Sequence, residues 1–230
     1  MIRLEPAPGI ELLDDPAAEP ALVCASLRNI GRANRWFGGA AAVRYGLERA
    51  FAGGTRGARW TMVDVGTGMG DLARMAAAWA GSRGIVLEPM GVERHTGAAR
   101  MARSFGLPVL VGDAGALPFA SRSVDLVLLS QVAHHFSPPA IVHLFRECNR
   151  VARRAVIVAD LRRSSVAALG FRLAGSLLGF DHHTVRDGVT SLRRGFSTAS
   201  LGDLLGQAGI RTRVTRRPGA RLVAVWHPEA

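Results

Sequence analysis

Four apolar runs in this chain end on residues able to do chemistry. Asp64 sits in "VDVGTGMGD" (63–71), Glu93 closes "MGVE" (90–93), Asp113 closes "PVLVGD" (108–113), and Asp160 closes "RAVIVAD" (154–160). A histidine pair, His134 and His135, follows the run "VDLVLLSQVA". Gly66, Gly68 and Gly70 alternate directly after Asp64, with Thr67 between the first two. Alternating glycines let backbone come close to a bound nucleotide. A carboxylate at a strand end can hold an ammonium group or two vicinal hydroxyls. A histidine within reach of a carboxylate can take a proton near neutral pH.

These residues need a scaffold that brings strand ends together. Apolar runs at 59–65, in a strand ending at 93, and at 108–113, 124–130 and 154–160 alternate with helical patterns at 71–80, 97–105 and 138–151. The runs are nearly all apolar, as expected of parallel strands covered on both faces. Such alternation predicts an α/β doubly wound sheet. Near the C-terminus, "IRTRVT" (210–215) and "RLVAVWH" (221–227) are separated by only five residues, "RRPGA". That is too short for a helical crossover, so the two runs predict an antiparallel hairpin. Two helices are expected around Leu22–Ile30 and Val43–Phe51, with "NRWFGG" (34–39) between them and Gly53, Gly54 and Gly57 breaking the pattern afterwards. Residues 1–20, with four prolines, read as a loose arm. Residues 161–196 interrupt the rhythm with an apolar helix at 166–180 and a polar segment, "DHHTVRDGVTSLRRGF", which reads as a lid or a plain turn. The expected organisation is an N-terminal arm and helical lid over 1–57, then a ligand-binding domain over 58–230 with a cap insert at about 161–196.

The glycine loop distinguishes two kinds of nucleotide. A dinucleotide loop requires a third glycine where this chain has Asp71, and a carboxylate there repels pyrophosphate. Asp64, two residues before the loop, suits the α-amino group of a methionine moiety instead. On these residues the chain resembles the class I S-adenosylmethionine-dependent methyltransferases, in the small-molecule branch that includes the ubiquinone and menaquinone methylases. The resemblance covers roughly residues 59–160, and the terminal hairpin supports it. It implies a Rossmann-like seven-stranded sheet, mostly parallel with a C-terminal antiparallel hairpin, helices on both faces and a small helical cap. It implies S-adenosylmethionine as the cofactor, held by Asp64, Gly66, Thr67, Gly68 and Gly70 at the first loop. Glu93, with neighbouring Arg94, would hold the ribose hydroxyls; Glu88 is the weaker candidate, because Pro89 follows it and its distance from the loop is shorter. Asp113 and Ala114 would meet the adenine, and Gln131 would lie near the methionine end.

The same resemblance places the acceptor beside His134, His135 and Asp160, so that either histidine could serve as base with Asp160 as its carboxylate partner. Trp36, Phe37, the 166–180 helix and the His182–His183 cluster would wall the acceptor pocket. Neighbouring histidines at 182 and 183 do not readily share one ion and no third ligand is spaced to help, so no metal is expected.

Composition bounds the rest. The chain has 230 residues, enough for one domain and a full core. Its net charge is +11, and all 29 basic residues are arginine. Thirteen of these lie in 150–217 against four aspartates, a face that could meet nucleic acid, an acidic carrier or a phosphorylated substrate. Nucleic acid is the lesser expectation, since "SQVAHHF" (130–136) lacks the Pro-Pro-aromatic motif of base methylases and the chain has one tyrosine for stacking. A small, aromatic or lipophilic acceptor is the leading expectation. RNA methylation and a non-catalytic cofactor-binding role stand as alternatives. Two cysteines without CxxC spacing, no run of membrane-spanning length and no signal-peptide pattern point to a cytoplasmic protein.

Overall fold

The computed structural model describes residues 11–15, 18–52 and 57–229. Among the described residues, seven strands form one sheet: β1 (Arg59–Val65), β2 (Val86–Glu93), β3 (Val109–Val111), β4 (Val124–Ser130), β5 (Ala152–Leu161), β6 (Thr215–Arg217) and β7 (Arg221–Trp226). Their order is β3-β2-β1-β4-β5-β7-β6. The first five are parallel, and β7 runs antiparallel to both β5 and β6. This is the Rossmann-like arrangement expected from the sequence, with the chain reversing direction between β1 and β4. At such a switch point the loops after neighbouring strands diverge and leave a crevice at the carboxyl edge.

The described residues form eight α-helices: α1 (Pro20–Trp36), α2 (Gly39–Ala50), α3 (Asp71–Gly81), α4 (Thr96–Ser104), α5 (Pro138–Val151), α6 (Ser165–Leu177), α7 (His182–Arg194) and α8 (Thr198–Gln207). Every residue of β4 is buried, and its side chains alternate between two cores. Val127 and Leu129 pack with Phe145 of α5 and Leu201 and Leu205 of α8. Leu126 and Leu128 pack with Leu47 of α2 and Ala73 and Ala76 of α3. No helix among the described residues is long and apolar enough to cross a membrane.

Several elements differ from the sequence reading. The polar segment 181–196 is mostly helix α7, capped by Asp181, whose carboxylate accepts the Thr184 N–H at 2.9 Å. Its inward residues are largely polar, so the apolar periodicity that announces a helix is missing. β6 is shorter than the run 210–215 suggested and begins only at Thr215. Within the expected lid of 1–57, α2 is a layer of the sheet domain, with Val43 and Leu47 in the same core as β1 and β5. Of the expected loose arm, residues 1–10 and 16–17 lie outside the described residues, but Leu12–Asp14 form a 3-10 turn tied to the body of the protein. Gly53 and Gly54 also lie outside them.

α2 approaches the sheet through Gly46, where an added Cβ would overlap Ile157 Cγ2, the rigid branch of a fully buried side chain. Gly202, inside α8, has open space in the same direction. Gly46→Ala is therefore expected to destabilise the protein by about 1–2 kcal/mol through overpacking. Gly202→Ala should stabilise it by roughly 0.5–1 kcal/mol through helix propensity. Urea denaturation of the two variants checks both signs; equal effects would refute the packing argument.

Candidate active site

The carboxyl edge of β1, β2, β4 and β5 opens into a cavity of about 700 Å³, within the usual range for small-molecule sites. α1, α6, α7 and the turn at Leu12–Asp14 close it from above, so that it runs from the β1 loop and Asp113 at one end to the histidine pair at the other.

The β1 loop is held in shape by its own backbone. The Gly66 and Thr67 N–H groups donate to Val92 O at 2.8 and 3.2 Å, and Gly70 N–H donates to Thr67 O at 2.8 Å. Gly66 has φ +69°, and a Cβ there would strike Val132. Only glycine combines that dihedral with that approach. Asp64 is buried beneath the loop and accepts the Thr67 hydroxyl at 2.7 Å. Burial pushes its carboxyl up to about 7, against the Thr67 hydrogen bond, and the negative charges of Asp71 and Glu93 add to the rise. Burial also raises Asp71, which faces the cavity and accepts Asn34 Nδ2 at 2.9 Å. The pocket end beneath the loop thus holds three carboxyl groups and calls for a cation.

Glu93 braces this end, accepting Gly68 N–H at 2.9 Å and His95 N–H at 2.8 Å while lining the cavity. Glu88 does not line it and instead pairs with Arg59 on the outer surface. Arg94, Asp113 and Ala114 lie along the same wall, and Asp113 Oδ1 accepts Gly115 N–H at 2.7 Å.

Gln131 follows β4 with φ +58°, a left-handed conformation unusual for a side chain of its size. Its amide is fixed at both ends. Nε2 donates to Asn34 Oδ1 at 2.6 Å, and Oε1 accepts Arg221 Nη1 at 2.6 Å. Together with Asn34–Asp71, these bonds form a relay from β7 through the β4 exit and α1 to α3. Sequence reasoning missed Asn34, Asp71 as a cavity residue, and Arg221. The register of β7 on β5 sets Arg221 beside Leu161 and Leu222 beside Asp160, a pairing across the sheet that spacing along the chain does not reveal.

At the far end, His134 Nδ1 bonds Asp160 Oδ1 at 2.7 Å, both side chains being buried. Asp160 also accepts the N–H groups of Ala133 at 3.0 Å and Leu161 at 2.6 Å. Burial alone would raise its carboxyl, but His134 and these donors hold it below the usual range. His134 Nε2 is buried without a partner among the described residues, on a side chain that lines the cavity. The rings of His134 and His135 lie 4.3 Å apart, but His135 turns to Asp14, with Nδ1 to Oδ1 at 3.1 Å. The two histidines that the sequence left undistinguished thus have different partners.

The acceptor-side residues named from sequence are only partly brought together. Phe37 lines the cavity and meets Phe171 edge-on, with ring centroids 5.2 Å apart. Trp36 does not line it; it ends α1 on the outer face, 68% exposed, with the Arg35 guanidinium against its ring. His182 and His183 do not line it either, because they occupy the first turn of α7, and Thr184, Asp187, Gly188, Ser191 and Leu192 turn inward in their place. α6 contributes Ala167, Gly170 and Phe171, whereas Val166, Leu169, Leu173 and Leu177 face outward, so most of the expected apolar wall points away from the cavity. Glu11, Leu13 and Asp14, on the stretch read as a loose arm, take part of that wall.

Residues 63–159 match the family model of the methyltransferase domain. Over that stretch the chain is similar to methyltransferase domains. No curated protein matches the sequence. Among solved structures, a SAM-dependent methyltransferase from Aquifex aeolicus is similar over 92% of this chain and 99% of its own, with 18% identity and a TM-score of 0.63. Magnesium protoporphyrin IX methyltransferase from Synechocystis PCC 6803, with bound SAH, is similar over 84% of both chains, with 15% identity and a TM-score of 0.56. The pyocyanin biosynthetic protein PhzM is similar over 80% of this chain and 54% of its own, with 21% identity and a TM-score of 0.55. At these identities the likeness speaks to the methyltransferase fold.

The raised carboxyl of Asp64 sets a trade between stability and binding. Its folded-state pKa of about 7 lies above the unfolded value, so ionisation disfavours the ligand-free fold as pH rises from 4 to 7 and by a constant amount above 7. Asp64→Asn should raise the melting temperature of the ligand-free protein at pH 8 by about 2–8 °C, corresponding to ~1–2 kcal/mol. The gain should vanish toward pH 4. Scanning calorimetry at the two pH values checks it, and a loss of stability at pH 8 would refute it.

Proposed function

We propose that the methyltransferase domain transfers a methyl group to a small aromatic or lipophilic hydroxyl-bearing acceptor, with the His134–Asp160 pair taking the acceptor's proton. The observation that carries this reading is the buried, unpartnered Nε2 of His134 on the wall of the cavity that begins at the glycine loop. S-adenosylmethionine, when bound, supplies a methyl group already activated by a sulfonium centre.

The residues fit that cofactor. Asp64 and Asp71 form a buried, anionic end suited to its ammonium group, whose charge would return both carboxyls toward their ordinary range. Glu93 keeps oxygen lone pairs for the ribose hydroxyls, and Asp113 and Ala114 would meet the adenine. Arg94 would flank the ribose, and Thr67, Gly66, Gly68 and Gly70 would shape the cradle. Gln131, locked by Asn34 and Arg221, would fix the methionine end in one orientation.

The chain's own work in the reaction is alignment, exclusion of water and proton transfer. As the acceptor hydroxyl takes up the methyl group that bound S-adenosylmethionine would supply, its proton would pass to His134 Nε2. Asp160 holds the imidazole with Nδ1–H toward itself and stabilises the imidazolium. Phe37 and Phe171 offer apolar walls for the acceptor, and roofing by α6, α7 and the 12–14 turn favours a small molecule over a polymer.

Calorimetric titration with S-adenosylhomocysteine should give micromolar binding, weakened about 100-fold or more by Glu93→Ala, while NADH does not bind. NADH binding, or no binding of either, would overturn the cofactor reading. Because bound ammonium lowers the Asp64 pKa, affinity should fall as pH drops from about 7 to 5.5, and proton release should accompany binding in that window. Asp64→Asn should flatten this dependence.

Once a phenolic or quinol acceptor is found by screening, His134→Asn and Asp160→Asn should each lower kcat by about 10²–10⁴. Homocysteine-cofactor affinity should change little. Unchanged kcat in both variants would remove the base from the mechanism.

A further inference from the structure

We propose that Glu11, His134 and His135 form a binding site for a divalent first-row transition-metal ion at the acceptor end of the cavity. One ligand atom from each side chain lies within 4.8 Å of the other two. All three residues line the cavity.

The surroundings of these atoms are those of a metal site. In metal centres, ligating histidines donate their second ring N–H to a carboxylate, which fixes the tautomer and aims the other nitrogen at the ion. Here both histidines do so independently. His134 Nδ1 lies 2.7 Å from Asp160 Oδ1, and His135 Nδ1 lies 3.1 Å from Asp14 Oδ1. With Nδ1 so engaged, Nε2 is the nitrogen each ring presents to an ion, which displaces any proton held there. That of His134 is buried and without a partner, and that of His135 lies 3.9 Å from Glu11 Oε2. Cis ligands at bond lengths of about 2.0–2.1 Å stand roughly 3–3.5 Å apart, so a small inward shift would complete the set. Glu11 is itself oriented, by the Ser191 hydroxyl at 2.9 Å and Arg194 Nη1 at 3.1 Å.

Sequence neighbours can act together here because Ala133–His135 is a tight 3-10 turn, which sets the two rings side by side at 33°. His182 and His183, in a helix, stand at 83° with centroids 5.9 Å apart and do not converge. Two imidazoles and one carboxylate form a borderline donor set that suits Zn²⁺, Fe²⁺ or Co²⁺ better than Mg²⁺. Three protein ligands leave coordination positions open toward the cavity.

An ion held there would bind the acceptor's hydroxyl and acidify it, and the His134 lone pair would then serve the ion; in the ion-free protein it serves the proton. Ion binding itself does not depend on the methyl-transfer reading, and its failure would leave that reading standing.

The test uses the full chain, stripped with chelator. Titration with Co²⁺, followed by visible absorption, and with Zn²⁺, followed by calorimetry, should show one site per chain, while Mg²⁺ gives none. Glu11→Gln should weaken binding at least 10-fold, His135→Gln should abolish it, and Asp14→Asn should weaken it about 10-fold. The double variant His182→Gln, His183→Gln should bind as the wild type does. Titration with S-adenosylhomocysteine shows that each variant is folded. Absence of stoichiometric Co²⁺ or Zn²⁺ binding by the wild type, or binding that persists in His135→Gln, would overturn the proposal.

Discussion

The buried carboxylate of Asp160 is the constraint around which the cavity is built. It sits fully enclosed at the end of β5, and an unpaired charge there would be untenable. Three donors meet it: the His134 ring and the backbone N–H groups of Ala133 and Leu161. Arg221, delivered by the antiparallel β7, adds a nearby positive charge, and its own guanidinium is pulled down to about 10 by burial, partly offset by Asp160. Satisfying one carboxylate therefore fixes the turn after β4, the imidazole of His134 and the position of the terminal hairpin. A one-residue slip of β7 on β5 would turn Arg221 to the opposite face of the sheet and lose this meeting.

From Arg221 the order continues through side-chain amides. Gln131 and Asn34 have no freedom to flip, because each joins a cationic or donor group at one end to an acceptor at the other. The left-handed backbone of Gln131 is a local cost, held in place by these bonds and by its N–H on Ala159 O. The relay ends on Asp71 beside the glycine loop, so the two ends of the cavity are mechanically joined by short, directional bonds.

The roof obeys a different rule from the sheet. The sheet is held by apolar side chains alternating between two cores, whereas the turn at Leu12–Asp14 is held to α7 and the histidine pair by charge. Glu11 meets Ser191 and Arg194, Asp14 meets His135 and Arg194, and the Leu12 N–H meets Asp187. His135 is raised despite burial by its bond to Asp14, while Asp14 is held well below the usual carboxylate range, against its burial, by that same contact. Each group favours the charged form of the other, and Leu13 of the same turn packs against the cluster of Val23 and Leu27.

Period and punctuation in the sequence determined the strands and their edge chemistry. β1 and β4 fall on the runs read from sequence, and Asp64, Glu93, Asp113 and Asp160 stand at or after strand ends, because a strand buried on both faces is a short apolar run and polar residues resume where it leaves the core. The short link "RRPGA" determined the hairpin for the same local reason. Tertiary structure decided what local pattern cannot carry. α7 was illegible as a helix because its inward stripe, Thr184, Asp187, Gly188 and Ser191, lines a polar cavity and carries no hydrophobic period. Trp36 and the apolar face of α6 read as pocket wall on composition alone, but the direction of a helix face is set by what the helix packs against. The choice between His134 and His135, the arrival of Arg221, and the return of Glu11 and Asp14 from a distant segment depended on contacts across the fold. Such contacts leave no trace in spacing along the chain, because they join residues through space.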